Sequence, residues 1–363
     1  MSIGKFPEFY VDVTKEATKI PQEQYHAVGR YPIIDQGQKS IAGMWDNSEG
    51  LYEKVPAIVF GDHTRVIKYV DTPFFIGADG VKVLRPADDG DNVKYLFYVL
   101  QAARIPNLGY SRHFKAVKEL EIRMYPRKKQ DEIVCVLEQV DSLIGQRQNE
   151  IMQMDQLVKS RFVEMFEKGE FERIPFEAFC EFLRNGASIK QTKGAGGYPI
   201  TRIETLANDA FNLDRLGYAN ITELKGFEKY ILKKGDILIS HINSVAYLGR
   251  AVQYRGESNT PIIHGMNLLC ARLRHDCNST YIEYFFKTPM AKDYISTITK
   301  KAVNQASITT TDLKKMLIPA PPLELQNCFA AFVSEVDKSK LAVKQSLEKL
   351  ETLKKSLMQQ YFG

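Results

Sequence analysis

The chain of 363 residues lacks the features that mark secreted, membrane-spanning and disulfide-stabilised proteins. No apolar run approaches the ~18 residues of a membrane-spanning helix, and the N-terminal MSIGKFPEFY has no signal-peptide core. The 5 cysteines include no CxxC pair, so we expect neither disulfides nor a zinc site. Together these absences predict a cytoplasmic protein.

Motifs for nucleotide and cofactor chemistry are also missing. The sequence has no GxxxxGK[ST] phosphate loop, no GxGxxG after a strand, no NPPY-like tetrapeptide of an amino-methyltransferase and no GxSxG nucleophile elbow. The 6 histidines are scattered without metal-ligand spacing. The adjacent Asp62 and His63 fit a polar strand-to-turn pair better than a catalytic acid and base. We therefore expect no active site, metal or cofactor on this chain.

What the chain does contain is one stretch that occurs twice. Residues 130–166 read QDEIVCVLEQVDSLIGQRQNEIMQMDQLVKSRFVEMF, and residues 326–362 read QNCFAAFVSEVDKSKLAVKQSLEKLETLKKSLMQQYF. At an offset of 196 residues, 7 of the 37 aligned positions are identical, including Gln130 and Gln326. Apolar residues recur every three or four positions in both copies, which predicts two amphipathic helices.

Two helices with the same apolar stripe can pack against each other as an antiparallel pair with coiled-coil-like contacts. A helix over 141–166 would extend about 39 Å at ~1.5 Å per residue, which suggests a spacer. A helical hairpin that only dimerises the protein fits the periodicity equally well. The residues predicted to pack in the helix pair are Val140, Ile151, Met154, Leu157, Phe162, Val336, Leu347, Leu350, Leu353 and Met358.

Each predicted helix follows a longer segment with a strand bias. Strands are predicted over 57–70, 81–86, 236–245, 249–256 and 267–274, and helices over 92–103 and 279–297. The tripeptide YPI occurs in both segments, at Tyr31 and Tyr198. The sequence thus predicts an α+β fold from an internal duplication, with two strand-rich domains and two long antiparallel helices. The predicted boundaries are 1–129, 130–170, 171–319 and 320–363.

Polar, basic and aromatic loops occupy matching places in the two segments. The formal net charge is only +5, which is compatible with a polyanion partner and also with many soluble enzymes. These residue types reach phosphates and base edges in DNA, and a solvated loop is the alternative for any single residue. The candidate DNA-contacting residues are Asn107, Tyr110, Ser111, Arg112, His113, Arg184, Asn185, Ser188, Lys190, Gln191, His241, Asn243, Lys300, Lys301, Asn304 and Gln305.

Along essentially its whole length the chain resembles the specificity (S) subunits of type I restriction-modification systems. The similarity is carried by IPAPPLELQNCFAAFVSEVDKSK and LEKLETLKKSLMQQYF, by YPRKKQDEIVCVLEQVDSLI and LVKSRFVEMF, and by DILISHINSVAYLGRAV and HGMNLLCARL. In one departure, YPRKKQ stands where the family more usually has PxPPxxxQ, the pattern found at 319–326. The start of the first helix is therefore not fixed by the motif.

The resemblance implies a non-catalytic subunit whose two target recognition domains each read one half of a bipartite, asymmetric DNA site. It implies that the helices set the gap between the halves and dock two methyltransferase subunits, and that two restriction subunits complete the complex. S-adenosylmethionine, ATP and Mg would then belong to the partner subunits. Two alternatives stay open: the specificity subunit of a related system whose single partner both methylates and cleaves, and a helical-hairpin scaffold without a DNA role.

Overall fold

The computed structural model of the chain describes residues 2–77, 79–109, 111–192, 196–301 and 305–363. The chain divides into two compact units: unit 1 comprises Met1–Asn149 with Lys344–Gly363, and unit 2 comprises Glu150–Val343. None of the helices in the described residues combines the length and the apolar character of a membrane span. The four domain boundaries predicted from the sequence stay a prediction.

Unit 1 contains nine of the strands found in the described residues and most of its helices are short. Its strands are β1 (Ser2–Lys5), β2 (Tyr10–Asp12), β3 (Tyr31–Ile34), β4 (Gly43–Trp45), β5 (Ala57–Gly61), β6 (Ile67–Val70), β7 (Phe75–Ile76), β8 (Val81–Pro86) and β9 (Glu121–Met124). Its helices are α1 (Phe6–Phe9), α2 (Val93–Ala102), α3 (Phe114–Lys118) and the first part of α4 (Arg127–Phe162).

The core of unit 1 lies on an antiparallel four-stranded sheet with the order β2-β8-β5-β6. Strand β5 is buried along its whole length because α2 covers one face of the sheet, and residues of β3, β7 and nearby loops pack on the other. Helix α2 begins at its N-cap Asn92, whose side chain accepts hydrogen bonds from the backbone N–H groups of Lys94 and Tyr95. A smaller sheet has the order β4-β3-β7, and β1 pairs with β9.

Unit 2 repeats these elements at greater length. Its strands are β10 (Arg173–Pro175), β11 (Cys180–Asn185), β12 (Gln191–Thr192), β13 (Tyr198–Ile200), β14 (Gly217–Ala219), β15 (Ile237–Ser240), β16 (Ile242–Asn243), β17 (Ala251–Gln253), β18 (Leu268–Leu273), β19 (Lys300–Lys301), β20 (Ala306–Ser307) and β21 (Leu317–Pro319). Its helices are α5 (Phe176–Phe179), α6 (Ser279–Phe285), α7 (Pro289–Ile298), α8 (Thr310–Lys314) and the first part of α9 (Leu323–Phe362).

The two units share one sheet topology. The four-stranded antiparallel sheet of unit 2 has the order β11-β18-β15-β17, which corresponds strand for strand to β2-β8-β5-β6. The pair β10 and β21 likewise corresponds to β1 and β9. Both copies of the tripeptide YPI start a strand of a small sheet, at Tyr31 and Tyr198. The α+β fold class and the internal duplication predicted from the sequence are therefore confirmed.

A buried glutamine near the start of each long helix makes the same contacts in both units. The Gln130 side-chain oxygen accepts a 2.8 Å hydrogen bond from the Asn92 backbone N–H, and its amide nitrogen donates to the Tyr125 carbonyl at 2.8 Å. In unit 2 the Gln326 oxygen accepts from the Asn278 N–H at 2.9 Å, and its nitrogen donates to the Pro321 carbonyl at 2.9 Å. The identity of Gln130 and Gln326 in the sequence repeat thus joins each long helix to the N-cap of the helix on its sheet.

Helices α4 and α9 run antiparallel. In unit 1, Asp141 on α4 pairs with Lys354 on α9 at 2.6 Å. In unit 2, Asp155 on α4 pairs with Lys340 on α9. Residue numbers therefore rise along α4 as they fall along α9. Helix α4 begins directly after Pro126, and a π-helical turn over Val163–Glu167 follows its end.

Two leucines predicted to pack in the helix pair do not do so. Leu157 is 53% exposed and Leu353 is 46% exposed, so the prediction for these two positions is wrong. The inward position beside Leu157 is held by Val158, which is 3% exposed, and the position beside Leu353 is held by Lys354. Of the other predicted positions, Val140 and Phe162 are buried, and Ile151, Met154, Val336, Leu347, Leu350 and Met358 are partly buried.

Candidate nucleic-acid interface

In unit 2, two of the predicted residue groups meet at one edge of the four-stranded sheet. Strands β11 and β15 both pair antiparallel with β18, so they run in the same direction and end together. Arg184 and Asn185 lie at the end of β11, opposite Cys270 and Leu269. Ser240 ends β15, and His241 and Asn243 follow it. The fold therefore gathers residues that are more than fifty positions apart in the sequence.

A small sheet adds a third predicted group to the same edge. In it Ala306 of β20 pairs with Asn243 of β16 on one side and with Lys301 of β19 on the other. Lys300, Lys301 and Gln305 are exposed. Asn304 lies outside the described residues. Asn243 is thereby placed about 10 Å from the two lysines, at two strand spacings of ~4.8 Å.

The remaining predicted residues of unit 2 belong to the segment that follows β11. Ser188 and Lys190 lie in this segment, and Lys190 is exposed. Gln191 begins β12, where it pairs with Ala219. The segment stays close to the sheet edge because the backbone of Ala187 bonds to His264 and Met266, in the loop that leads into β18.

Arg184 is held at the sheet edge by an aromatic ring. Its guanidinium carbon lies 3.5 Å from the centroid of the Phe182 ring, and Arg272 lies 4.9 Å from the same centroid. Arg272 is neutralised by Asp236, to which it donates two hydrogen bonds of 2.8 and 2.7 Å. Arg184 has no carboxylate within ion-pair distance among the described residues. Its positive charge is therefore free to meet a phosphate or a guanine.

In unit 1 the corresponding edge is built around Gln36, which sequence reasoning missed. The Gln36 oxygen accepts a 3.1 Å hydrogen bond from the His63 N–H, and its nitrogen donates to the Asp79 carbonyl at 3.0 Å. The Thr64 hydroxyl donates to the Gln36 carbonyl at 2.6 Å. The strand predicted over 57–70 is divided in the structure into β5 and β6, and the hairpin that joins them reaches the sheet edge. The available signal was the Gly61 and Asp62 pair inside the predicted strand, because these residue types favour turns.

The predicted group of unit 1 lies beside this hairpin. Asn107, Ser111 and Arg112 are exposed, and Tyr110 lies outside the described residues. The His113 N–H donates a 2.9 Å hydrogen bond to the Asp62 carbonyl, which fixes the end of the predicted loop next to the end of β5. The structure therefore brings the predicted loop and the missed hairpin to one edge of unit 1.

The prediction that His113 contacts DNA is wrong. Its side chain is 0% exposed. Its Nδ1 lies 2.8 Å from the Asp62 carbonyl, and its Nε2 accepts a 3.0 Å hydrogen bond from the Leu108 N–H. Asp62 is also buried, and its carboxylate accepts from the Phe114 N–H at 2.7 Å. This pair fastens the start of α3 to the strand end.

The prediction for His241 is also corrected, because its side chain is only 7% exposed. Burial lowers the pKa of His241, so the imidazole is neutral near pH 7 and supplies no charge for a phosphate. The neighbouring His264 is 2% exposed, and its Nε2 lies 2.8 Å from the Leu268 carbonyl. Burial lowers the pKa of His264 to about 4. Both histidines support the sheet edge from inside.

Metal binding finds no basis in the described residues, where no group of three or more histidine, cysteine, aspartate or glutamate side chains could hold an ion. The expectation that cofactors belong to partner chains stays a prediction. What both sheet edges offer is a set of amide, hydroxyl and cationic groups. Such an edge can bind a polyanion and read hydrogen-bonding groups on it.

Comparison with known proteins gives a family. The family described as "Type I restriction modification DNA specificity domain" matches residues 10–153 and residues 169–353. The two matched ranges follow the duplication seen in the fold.

Two curated relatives carry a related description. The chain is 37% identical over 207 residues to the "Putative type I restriction enzyme MjaX specificity subunit" of Methanocaldococcus jannaschii, a match covering 55% of this chain and 48% of that protein. It is 25% identical over 197 residues to the "Type I restriction enzyme EcoKI specificity subunit" of Escherichia coli K12, covering 53% of this chain and 42% of that protein. The matches therefore span about half the length of each relative.

A solved structure shares the fold over nearly the whole chain. It is described as the crystal structure of a type I restriction-modification system S subunit from M. genitalium, and it superposes with a TM-score of 0.59 at 15% identity. The superposition covers 98% of this chain and 94% of that one. At this identity the likeness concerns the fold alone.

Proposed function

The chain belongs to the type I restriction modification DNA specificity domain family, and from this premise we propose that it is the non-catalytic DNA-specificity subunit of a type I restriction-modification complex. In this role it binds double-stranded DNA and directs enzymes on other chains to their site. It would act in the cytoplasm, where its substrate lies.

One observation carries the proposal: the same four-stranded sheet occurs in each unit, and its polar edge is built in each case from the end of the central strand. The two edges differ in the side chains they present. Unit 1 offers Gln36, Thr64 and Arg112, whereas unit 2 offers Arg184, Asn243 and Lys301. Two similar frames with different side chains suit the reading of two different half-sites, which together form a bipartite and asymmetric target.

The helix pair supports a spacer role. Helix α4 has 36 residues and α9 has 40, which corresponds to about 54 and 60 Å at ~1.5 Å per residue. Each helix contributes one segment to each unit. Because a DNA turn measures ~34–36 Å, helices of this length can set the unread gap between two half-sites.

The enzymatic activities belong to partner subunits in this proposal. Two modification subunits would carry the S-adenosylmethionine-dependent adenine methyltransferase, and two restriction subunits would supply the ATP- and Mg-dependent translocase and nuclease. The modification subunits would dock on the outer face of the helix pair. Val136 and Leu143 support this placement, because both are apolar, lie one heptad apart on α4 and are 36% and 40% exposed.

Mapping of methylated adenines tests the proposal. The chain is co-expressed with the modification subunit of the same system, in a host without other adenine methylation, and the genome is read by single-molecule sequencing. We expect one bipartite motif with a fixed gap, and we expect no methylation when this chain is omitted. A continuous motif, or methylation that does not depend on the chain, would contradict the proposal. A single partner that both methylates and cleaves would instead favour the related two-subunit system.

The helical-hairpin scaffold without a DNA role predicts a different result in a binding assay. Phosphate contacts release counterions, so the affinity of the assembled complex for its duplex should fall steeply as salt rises. A scaffold would show no such dependence and no preference for the mapped motif.

The spacer role is tested by insertions into both helices. Seven residues are inserted after Gln146 in α4 and seven after Ala342 in α9. Both points lie between the ion pair of Asp141 and the ion pair of Asp155, so each pair keeps its partner. A heptad preserves the apolar stripe and adds about 10 Å, which is about three base pairs at ~3.4 Å. We expect unchanged half-sites and a longer gap, and an unchanged gap would contradict the spacer role.

A further inference from the structure

The connection between β15 and β17 in unit 2, which includes the predicted residues His241 and Asn243, forms an outward-facing turn. Its tip is a 3-10 turn over Val245–Tyr247, and the side chains of Val245 and Tyr247 are 54% and 48% exposed. Two backbone hydrogen bonds close its base, from Gly249 to Ser240 at 2.8 Å and from Ser240 to Arg250 at 2.9 Å. The two hydrogen bonds hold the turn in place, so its exposed apolar and aromatic tip is a candidate contact surface.

A polar cavity of about 310 Å³ lies against one side of this turn. Its lining includes Asn208, Ser240, Asn243, Tyr247 and Arg250. Asn243 is shared with the sheet edge described above. Its side-chain oxygen accepts a 2.8 Å hydrogen bond from the Ser244 N–H, and its nitrogen donates to the Ser240 hydroxyl at 3.2 Å. One amide hydrogen of Asn243 therefore remains for an outside acceptor, because the amide nitrogen has two.

The far wall of the cavity is held in an unfavourable backbone conformation. Asn208 and Asp209 have φ values of 56° and 55°, in the left-handed region that residues other than glycine adopt uncommonly, asparagine and aspartate most often among them. Arg250 holds this wall by donating to the Leu206 carbonyl at 2.8 Å and by pairing with Asp209 at 2.8 Å. Strained backbone persists only where surrounding contacts enforce it, and it is concentrated at functional sites.

A basic groove of about 280 Å³ lies against the other side of the turn. Lys159, Lys287, Lys292 and Arg250 line it together with Ala246 and Leu248. Lys287 pairs with Glu283 at 3.1 Å, and Arg250 pairs with Asp209. No carboxylate in the described part of the chain lies within ion-pair distance of Lys159 or Lys292. The groove therefore carries an excess of positive charge, which favours phosphate groups.

We propose that the segment 243–250 is the base-reading element of unit 2, with Asn243 and Tyr247 facing base edges at the polar cavity and with Lys159 and Lys292 holding backbone phosphates in the basic groove. A turn that enters a DNA groove meets bases at its tip and phosphates along its flank, which is the arrangement found here. This inference rests on the proposed function of the chain.

The corresponding connection of unit 1 is shorter, which makes the inference specific to one half-site. Residues 62–66 join β5 to β6, whereas residues 241–250 join β15 to β17. In unit 1, His63 and Thr64 of this hairpin are hydrogen-bonded to Gln36. Changes in the turn of unit 2 should therefore alter one half of the recognised motif and leave the other half and the gap as they are.

The test compares base-reading and phosphate-binding variants in the complex with the modification subunit. Tyr247→Ala and Asn243→Ala should relax one or two positions in one half of the mapped motif. On duplexes of the wild-type motif, each should lower the affinity roughly tenfold to a hundredfold. On a scrambled duplex the affinity should not change. Both side chains lie outside the hydrophobic clusters, and an unchanged thermal unfolding temperature would confirm that the variants are folded.

Lys292→Ala and Lys159→Ala should behave differently. Each should weaken binding to the cognate and scrambled duplexes by similar factors and should reduce the slope of log affinity against log salt by about one. Lys234→Ala is the matched control, since Lys234 is exposed and precedes the opposite end of β15. It should leave both the motif and the salt slope unchanged.

The results distinguish a failure of the assignment of the turn from a failure of the proposed function. If the wild-type complex yields a bipartite motif but Tyr247→Ala and Asn243→Ala leave it intact, the assignment of the turn is overturned and the proposed function stands. The same holds if these variants relax both halves equally. If the wild-type complex yields no bipartite motif, the proposed function fails first.

Discussion

Asp141 on α4 lies 2.6 Å from the ammonium group of Lys354 on α9 and accepts a 2.8 Å hydrogen bond from the Tyr98 hydroxyl on α2. One carboxylate therefore joins the three helices that cover the sheet of unit 1. Burial, and then the hydrogen bond to Asp141, raise the pKa of Tyr98, so its hydroxyl remains a donor at all ordinary pH values. The side chains of Asp141 and Lys354 are about one-third exposed, which places the pair between a surface ion pair and a buried one.

Replacing one partner by a residue with the charge of the other should show how much this contact contributes to the free energy of unfolding. Asp141→Lys would place two ammonium groups together and leave the Tyr98 hydroxyl without its acceptor. We expect a loss of about 2 kcal/mol in the free energy of unfolding, measured by urea denaturation. Exchanging the charges in the double variant Asp141→Lys with Lys354→Asp should recover part of that loss.

An exposed pair on α9 provides the control. Glu335 and Lys338 are joined at 2.7 Å, and their side chains are 72% and 70% exposed. Glu335→Lys should change stability by no more than about 0.5 kcal/mol. An equal loss at both sites would show that Asp141 has no special role in holding the helices.

The sequence repeat predicted the fold through a few positions with clear physical roles. The identity of Gln130 and Gln326 marks two buried amides that satisfy backbone groups at the start of α2 and α6. Their side chains are 1% and 2% exposed, although glutamine is usually a surface residue. The periodicity of each copy revealed a helix, but only the three-dimensional contacts reveal why a polar residue occupies its first inward position.

Removing these amides gives a prediction with a built-in comparison. Gln130→Leu and Gln326→Leu keep the approximate side-chain volume but leave a buried N–H and a buried carbonyl without partners in each unit. We expect each variant to lose about 2–4 kcal/mol in urea denaturation, because each orphaned group costs ~1–3 kcal/mol. Gln156→Leu, at an exposed position of α4, should stay within about 0.5 kcal/mol of the wild type. An unchanged free energy of unfolding in Gln130→Leu and Gln326→Leu would contradict the role assigned to the two amides.

The candidate site was less predictable because its residues are brought together by strand pairing. Neither the direction of β11 relative to β15 nor the pairing of Asn243 with Ala306 can be read from local sequence. Residue type is also a poor guide at His113, whose polar side chain is buried and bonds to Asp62 and Leu108. Gln36 was missed because it stands outside any cluster of polar residues in the sequence.

The apolar stripes of α4 and α9 show what periodicity alone can and cannot predict. A spacing of three or four residues leaves two candidates at each turn, and the apolar pattern predicted Leu157 where the fold buries Val158. On α9 the same pattern predicted Leu353, where the inward position belongs to a lysine paired with Asp141. In the sequence alone, a lysine within an apolar stripe indicates a break in the stripe, because its ion-pair partner is not known.

A pair of leucines tests this corrected stripe. Leu350 is partly buried and Leu353 is 46% exposed, although they are only three residues apart on α9. Leu350→Asp should cost about 2–3 kcal/mol in the free energy of unfolding, because a carboxylate would enter a half-buried apolar position. Leu353→Asp should cost less than about 1 kcal/mol. The reverse order in thermal or urea denaturation would restore the stripe predicted from the sequence.

His264 gives the chain a predictable sensitivity to acid. Burial lowers its pKa from an ordinary value of 6.5 to about 4, so between these values the unfolded chain binds a proton that the folded chain does not. The stability contributed by the neutral, buried imidazole is therefore present above about pH 6.5 and is lost as pH falls toward 4. His241, whose pKa is lowered by the same cause, contributes in the same direction.

We expect the free energy of unfolding to fall by up to about 3 kcal/mol from His264 alone over this range, since one pKa unit corresponds to ~1.4 kcal/mol. The measurement is urea denaturation at half-unit steps from pH 7 to pH 4. Carboxylates also titrate in part of this range, so the informative quantity is the difference from His264→Gln, whose amide can still donate to the Leu268 carbonyl but cannot take up the proton. The variant should show a flatter pH dependence and should approach or exceed the wild type near pH 4. Parallel curves for the two proteins would mean that the His264 imidazole is protonated without cost in the folded chain.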